Sequence, residues 1–267
     1  MNALTSDGRS YTATATSGDM RFKSAKVHNI KVVVHGKGEE NGHEYVNLGL
    51  PSGLKWATMN VGANSPVECG TYYAWGETEP AQFGYYGWDL YRLCNGSMKT
   101  LTKYCTNSEY GKVDGQITLD KANDVAHVKW GGNWRMPTKL ELDELINNCY
   151  WEWTMSYNND YGAGYIVYAA KSDEDKGKIL TSEYAQRGDA PSSKYSLSDP
   201  HIFLPFGSCM SESKNRNDGS VYLWSSTLDK DHCWLAYQMR ICNRDGFRYK
   251  TGAAYRYYGM NVRAVFK

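Results

Sequence analysis

The density of large aromatic rings and glycines is the feature that most constrains how this chain can fold. Its 267 residues include 22 Tyr, 9 Trp and 26 Gly. Aromatic side chains favour strands, where their rings pack on the pleated surface, and glycine permits the tight turns that join strands. We therefore expect a β-rich, loop-rich protein whose rings fill the core or form a binding surface.

Length and charge set the broad class. A chain of 267 residues suits one large domain, or one domain and a smaller piece. Its hydrophobic content of 41% and charged content of 22% are typical of folded proteins. A net charge of +1 argues against a polycation, so we expect no nucleic-acid partner. We also expect no transmembrane segment, because no apolar run approaches 18 residues, and no secretory signal is visible after Met1.

The first 40 residues differ in pattern from the rest. Residues 10–36 contain two stretches in which apolar and polar side chains alternate, which predicts strands. Residues 36–42 then carry three glycines and no apolar residue, which predicts a linker or a tight connection. We therefore divide the chain into an N-terminal β segment and linker, residues 1–40, and a main domain, residues 41–267.

Two stretches of the main domain predict helices. Thr138 and Glu141 have the spacing of a capping box. The apolar residues that follow recur on one helical face and predict a helix over residues 138–149: Leu142, Leu145, Ile146 and Cys149. A second helix is predicted over residues 119–129. We expect strands at residues 202–206, 222–226, 234–241 and 260–266, and long loops through the rest of residues 157–220.

The seven cysteines allow more than one interpretation. An odd number leaves at least one thiol unpaired, and no two cysteines have the C-x-x-C spacing. Cys94 and Cys105 are near enough in sequence to pair, and so are Cys233 and Cys242. Buried free thiols explain the same residues equally well.

Six motifs occur together in a fixed order. They are EYVNLGLPSG (44–53), LKWAT (54–58), YAWGET (73–78), WGGNWRMPT (130–138), WSST (224–227) and YGMNVRAV (258–265). This series resembles the Fibrobacter succinogenes major paralogous domain family of bacterial surface proteins. Most quoted residues favour a structural role, since Trp130, Trp134 and Trp224 suit a core and Pro137 starts a helix.

The resemblance implies a fold and a location. It implies an α+β, C-type-lectin-like domain with two helices and a loop-rich antiparallel sheet, preceded here by a short β segment. Similar folds occur in formylglycine-generating enzymes and in the variable proteins of diversity-generating retroelements. The location implied is the cell surface or extracellular space, with a phage particle as an alternative. Residues 22–34 also resemble the closing strand of a fimbrillin, although an edge hairpin explains them as well.

The C-terminal stretch from Trp234 to Lys267 has the composition of an adaptable binding surface. It holds seven basic residues, one acid and eight aromatic residues. Rigid rings supply contact area at low entropic cost, and Arg supplies forked hydrogen bonds. The predicted ligand-binding residues are Tyr237, Arg240, Asn243, Arg244, Asp245, Phe247, Arg248, Tyr249, Tyr255 and Tyr257. Ordinary decorated hairpins are the competing interpretation, because some of these rings must belong to the core.

These observations favour a non-enzymatic ligand-binding or adhesion module. Its ligand would be a protein or glycan, with an anionic one favoured by the basic tail. Two alternatives remain, a structural subunit that assembles with pilus or surface proteins, and a thiol-dependent oxidase related to formylglycine-generating enzymes. The sequence contains no nucleophile elbow, P-loop or G-x-G-x-x-G motif, and its six histidines are scattered. We therefore expect no catalytic site, cofactor or metal.

Overall fold

A computed structural model describes residues 2–4, 10–12, 36–182, 194–211, 216–243 and 250–267. These residues form an α+β protein with two helices and mostly antiparallel sheets. The chain divides into two compact units, Met1–Val33 and Val34–Lys267. In the first unit, β1 (Asn2–Leu4) pairs antiparallel with β2 (Ser10–Thr12). Residues 22–34, for which a resemblance to a fimbrillin strand was noted, lie outside the described part of the chain, and so do most of the first unit's predicted strands.

The second unit contains the remaining helices and strands. In chain order they are β3 (Gly36–Glu40), β4 (His43–Asn47), β5 (Lys55–Asn60), α1 (Val125–Trp130), α2 (Lys139–Asn148), β6 (Cys149–Tyr157), β7 (Asp160–Ala169), β8 (Ile179–Leu180), β9 (His201–Pro205), β10 (Gly207–Cys209), β11 (Arg216–Leu228), β12 (Leu235–Cys242), β13 (Thr251–Tyr255) and β14 (Arg263–Phe266). The strands form three four-stranded sheets, with the orders β14-β5-β4-β3, β8-β6-β7-β9 and β10-β11-β12-β13. Only the β6–β8 pair is parallel among the strand pairs described.

The segment predicted to be a linker or a tight connection, residues 36–42, consists of the first strand of the second unit and a tight turn. β3 pairs with β4 in register, Gly38 lying opposite Tyr45. The turn between them is Asn41-Gly42, and both residues have positive φ, 48° and 79°. An Asn-Gly pair adopts this backbone readily and matches the twist of a two-stranded hairpin. Gly42 thus belongs to a hairpin turn, whereas Gly36 and Gly38 belong to β3.

The prediction of long loops through residues 157–220 was wrong where β7, β8, β10 and the start of β11 lie. β6 and β7 form a long hairpin there, and its turn is Asn158-Asn159 with φ of 52° and 62°. Polar turn residues obscured the apolar stretch that follows them in β7. One face of this hairpin packs on a separate small cluster around Tyr150, Tyr168 and Phe203. The predicted strand at residues 202–206 is confirmed as β9.

The helix predicted at residues 138–149 is confirmed as α2. The Thr138 hydroxyl accepts a hydrogen bond from the Glu141 N–H, and the Glu141 carboxylate accepts one from the Thr138 N–H. The other predicted helix, residues 119–129, is mostly wrong. α1 begins only at Val125, because the buried Asp124 side chain accepts the His127 N–H and caps the helix there.

Removing the cap of α2 should lower stability measurably. We expect Thr138→Ala to reduce the free energy of unfolding by about 1 kcal/mol, since the Glu141 N–H loses its acceptor. Urea unfolding followed by tryptophan fluorescence measures this change. Leu140→Ala is the control, because Leu140 is 76% exposed on the same helix. An equal loss in the two variants would contradict the role given to the cap.

Aromatic side chains fill the core, as their number predicted. Five tryptophans are fully buried: Trp56, Trp75, Trp134, Trp151 and Trp224. The prediction that Trp134 and Trp224 are core residues is confirmed. Trp130 lies at the edge of the core, where its ring stacks on His43 at 4.0 Å between centroids. None of the helices in the described part of the chain has the length and apolar character needed to cross a membrane.

Two arginines of the C-terminal stretch also lie in the core. Arg256 and Arg263 are both 0% exposed. The Arg263 guanidinium donates to Asn60 Oδ1, to the Ala57 carbonyl and to the Phe203 carbonyl, at 2.8 to 2.9 Å. Such hydrogen bonds are what a buried guanidinium requires. These two residues therefore organise the fold and contribute no charge to the surface.

Candidate ligand-binding cleft

An open cleft of about 450 Å³ lies on the sheet formed by the C-terminal strands. All four strands of this sheet, β10 to β13, contribute to its lining, and the segment after β13 completes it. The lining residues are Cys209, Tyr222, Leu235, Gln238, Arg240, Gly252, Ala253, Ala254, Tyr255, Tyr258 and Met260. Volumes of this size suit small ligands or a protruding group of a larger one.

The cleft exists because β13 carries small side chains at its centre. Gly252 lies opposite Gln238 in the β12–β13 ladder, and Ala254 lies opposite Ala236. A Cβ added at Gly252 would approach Gln238 Nε2 at 3.9 Å, so this position faces the same side of the sheet as the Gln238 side chain. Larger residues in β13 would occupy the space above the sheet.

One wall of the cleft is formed by the guanidinium of Arg240 and the phenol ring of Tyr222. Arg240 forms an ion pair with Asp218 at 2.5 Å, and its guanidinium lies 5.4 Å from the centre of the Tyr222 ring. The Tyr222 hydroxyl donates to the same carboxylate at 2.9 Å. Burial acts to raise the pKa of the Asp218 carboxyl, but the Tyr222 hydroxyl and the Arg240 charge hold it below its usual value. The wall is therefore polar with balanced charge.

Gln238 supplies an amide to the floor of the cleft. Its side chain is buried, and its Oε1 makes no hydrogen bond within the described part of the chain. A buried acceptor without a donor costs free energy comparable to a lost hydrogen bond. A ligand N–H or O–H that reached this oxygen would remove that cost.

Aromatic rings form the rim beside the small residues of β13. Tyr255 is 38% exposed and stacks on Tyr257, with ring centroids 5.6 Å apart. Tyr258 meets both of these rings edge-on. Trp88, from a distant part of the sequence, packs against Tyr257 with ring centroids 5.0 Å apart and so restricts the movement of the Tyr257 ring. Supported rings of this kind offer contact area at little entropic cost.

Two of the ten predicted residues line the cleft, Arg240 and Tyr255. Tyr257 supports the rim as described above. Tyr237 lies on the opposite face of the sheet, where Lys139 of α2 sits 5.4 Å from its ring centre. Its place follows from strand alternation, because Gln238 and Arg240 occupy the cleft face.

Asn243 has a structural position at the end of β12. Its carbonyl accepts hydrogen bonds from the Ser182 N–H and hydroxyl, and its own N–H donates to the Gly219 carbonyl. It is not one of the residues that line the cleft. The other five predicted residues lie outside the described part of the chain: Arg244, Asp245, Phe247, Arg248 and Tyr249. They belong to the connection between β12 and β13, two strands that both line the cleft.

The strongly basic surface expected from the composition is not formed by the described arginines. Arg256 and Arg263 are buried, and Arg240 is paired with Asp218. Periodicity alone did not separate these core arginines from surface ones.

The residues lining the cleft that the sequence analysis did not predict are Gln238, Tyr222, Tyr258 and the small residues of β13. For Gln238 the sequence did contain an indication, because residues two apart in a strand face the same side of the sheet and Arg240 was already a predicted site residue.

The described residues do not form a metal cluster or a cystine. Within the described ranges, no three His, Cys, Asp or Glu side chains lie close enough together to hold a metal ion. All seven cysteines are described, and none of them is joined to another by a disulfide in this structure. The sequence-adjacent pairs considered above are therefore not formed in this structure. The Cys94 thiol instead donates to the carbonyls of Trp88 and Tyr91.

Comparisons of this chain with protein-family models, with curated proteins and with solved structures found no match. The function of this protein is therefore inferred from its cleft and from the six motifs quoted above.

Proposed function

We propose that this protein is a non-enzymatic ligand-binding or adhesion module that binds a protein or glycan in the cleft of the C-terminal sheet. The observation that carries the proposal is the combination of an open cleft, small floor residues and a supported aromatic rim on one sheet face. Such a surface fits a ligand that presents a flat apolar face together with hydroxyl or amide groups.

The charge of the cleft shapes the kind of ligand expected. Because Arg240 is paired with Asp218, the described wall offers donors and acceptors with little net charge. We propose that a preference for an anionic ligand comes from Arg244 and Arg248. These two residues belong to the connection between β12 and β13, so substituting them tests charge separately from the cleft.

We further propose that the second unit has the C-type-lectin-like fold and is displayed on a bacterial surface, a pilus tip or a phage particle. Two helices, mostly antiparallel sheets and a final strand paired with an early one are compatible with that fold. The order of the six motifs supports the same family. The surface location is inferred from the resemblance alone.

A filled cleft should abolish binding without unfolding the protein. We expect Gly252→Leu to eliminate detectable binding, because a side chain there enters the cleft while its Cβ makes only ordinary contact with Gln238. The measurement is binding to an array of neutral and acidic glycans and purified surface proteins. A circular-dichroism spectrum and melting temperature close to wild type establish that the variant is folded.

Gly36→Leu is the matched control, because a Cβ at Gly36 has no atom within 4 Å and the residue lies in another sheet. It should bind as the wild type does. Undiminished binding by a folded Gly252→Leu protein would remove the cleft as the binding site. An array with no bound ligand at all would favour the structural-subunit alternative, which analytical ultracentrifugation then tests through self-assembly.

The burial of the Cys105 and Cys233 thiols argues against the alternative that the protein is a thiol-dependent oxidase. A catalytic thiol must reach its substrate and must deprotonate readily. Cys105 and Cys233 are the two thiols that lie against each other, and both are 0% exposed. Burial raises the pKa of the Cys105 thiol, which works against a nucleophilic role.

A further inference from the structure

Two cysteines that are far apart in sequence meet in the core. The Sγ atoms of Cys105 and Cys233 are 3.6 Å apart, although 128 positions separate the residues. Cys105 belongs to the long segment between β5 and α1, and Cys233 lies two residues before the start of β12. The contact therefore joins two parts of the second unit that no strand pair connects at this point.

Hydrogen bonds fix both backbones that carry these thiols. The Asp114 carboxylate accepts from the Cys105 N–H at 3.0 Å and from the Tyr104 N–H at 2.7 Å. Nη1 of Arg256 donates to the Tyr104 carbonyl at 3.1 Å and to the Cys233 carbonyl at 3.0 Å. One guanidinium nitrogen thus holds the two chain segments together beside the sulfur atoms.

We propose that Cys105 and Cys233 form a disulfide when the protein folds in an oxidising environment. A disulfide requires a sulfur–sulfur distance of about 2.0 Å, so the bond would draw the two sulfur atoms closer together than their present 3.6 Å. This pairing differs from both pairs that proximity in sequence suggests. It does not depend on the ligand or on the proposed function.

The chemistry balances with a low-molecular-weight disulfide such as oxidised glutathione. One cysteine thiolate attacks a glutathione sulfur, breaks the glutathione S–S bond and forms a mixed disulfide. The second thiolate then displaces the bound glutathione and forms the Cys105–Cys233 bond. The two protein thiols lose two protons and two electrons in total, and two molecules of reduced glutathione leave. Because both residues are fully buried in the folded state, the exchange takes place before the core closes.

Counting thiols tests the pairing. The protein is refolded with oxidised and reduced glutathione, unfolded in guanidinium without further reductant, alkylated with iodoacetamide and weighed by mass spectrometry. We expect five labels, rising to seven when reductant is added before alkylation. Reduction should also lower the melting temperature of the folded protein by roughly 10 °C, because the bond closes a long loop.

Two single variants distinguish this pair from any other. Cys105→Ser should place a label on all six remaining cysteines, since Cys233 loses its partner. Cys94→Ser, at another buried cysteine, should leave only four of six labelled. Trypsin digestion of the wild type without reductant should yield residues 104–112 linked to residues 231–240. Seven labels before reduction, or a cross-linked peptide with other cysteines, would overturn the proposal.

Discussion

Replacement of Arg256 by Ala should leave the second unit largely unfolded at room temperature. The guanidinium donates four hydrogen bonds in the core, to the Tyr91 hydroxyl and to the carbonyls of Lys103, Tyr104 and Cys233. Its centre also lies 4.9 Å from the centre of the Trp75 ring. Truncation would leave buried acceptors without donors and a cavity between rings.

The expected loss is large on the scale of protein stability. A buried acceptor left without its donor costs about 1 to 3 kcal/mol, and Arg256 serves three carbonyls. For three carbonyls that loss is about 3 to 9 kcal/mol, which is comparable with the whole free energy of unfolding of an ordinary domain, about 5 to 15 kcal/mol. Arg256→Lys should be destabilised less but still clearly, because one ammonium group cannot replace a planar fork with several donors.

Urea unfolding followed by fluorescence and circular dichroism measures these losses. Lys250→Ala is the control, since it removes an exposed positive charge from the same C-terminal stretch. It should change the free energy of unfolding by less than about 0.5 kcal/mol. An Arg256→Ala protein with wild-type stability would contradict the structural role assigned to this guanidinium.

The protein should unfold between about pH 11 and pH 12 because of its buried tyrosines. Burial raises the pKa of the Tyr86 hydroxyl to about 12. It also raises the pKa of three further buried tyrosines well above 10: Tyr91, Tyr168 and Tyr222. In the unfolded chain these groups lose their protons near pH 10.

The direction of the effect follows from proton linkage. Each folded-state pKa is raised, so the stabilisation is fully present below pH 10 and is lost as the pH rises toward the folded value. In that window each tyrosine lowers the free energy of unfolding by about 1.4 kcal/mol per pH unit. Four such groups together remove about 11 kcal/mol within about two pH units, which is comparable with the stability of an ordinary domain.

A single hydroxyl can be removed to test this account. Tyr168→Phe keeps the ring and should reduce the slope of unfolding free energy against pH above pH 10 by about 1.4 kcal/mol per unit. Tyr161→Phe, at a ring that is 80% exposed, should leave the slope at its wild-type value. Circular dichroism, together with tyrosinate absorbance, follows both transitions. Equal slopes in the two variants would show that burial of Tyr168 does not control the alkaline transition.

Local sequence patterns predicted α2 and most C-terminal strands because those elements carry their own determinants. Thr138 and Glu141 define a helix start through contacts within one turn. The start of α1 could not be predicted in this way, because Asp124 is also held by the N–H of Met136, twelve residues further along. The β6–β7 hairpin was missed because its Asn-Asn turn resembles an ordinary polar loop.

The candidate site was predicted only in part, since composition does not record which side of a sheet a residue faces. Arg240 and Arg256 look alike in the sequence, yet one lines the cleft and the other lies beneath aromatic rings in the core. Pairing across strands decides such positions. The register that places Gly252 opposite Gln238 depends on contacts that the sequence alone does not reveal.

The pairing of β5 with β14 has a consequence for the order in which the protein can be made and folded. Trp56 lies opposite Val265, so an edge of the first large sheet stays unpaired until more than 200 further residues have been added. Contacts between such distant residues slow folding, because a long loop must close before any of them forms. This sheet therefore cannot be completed before the residues of β14 have been synthesised.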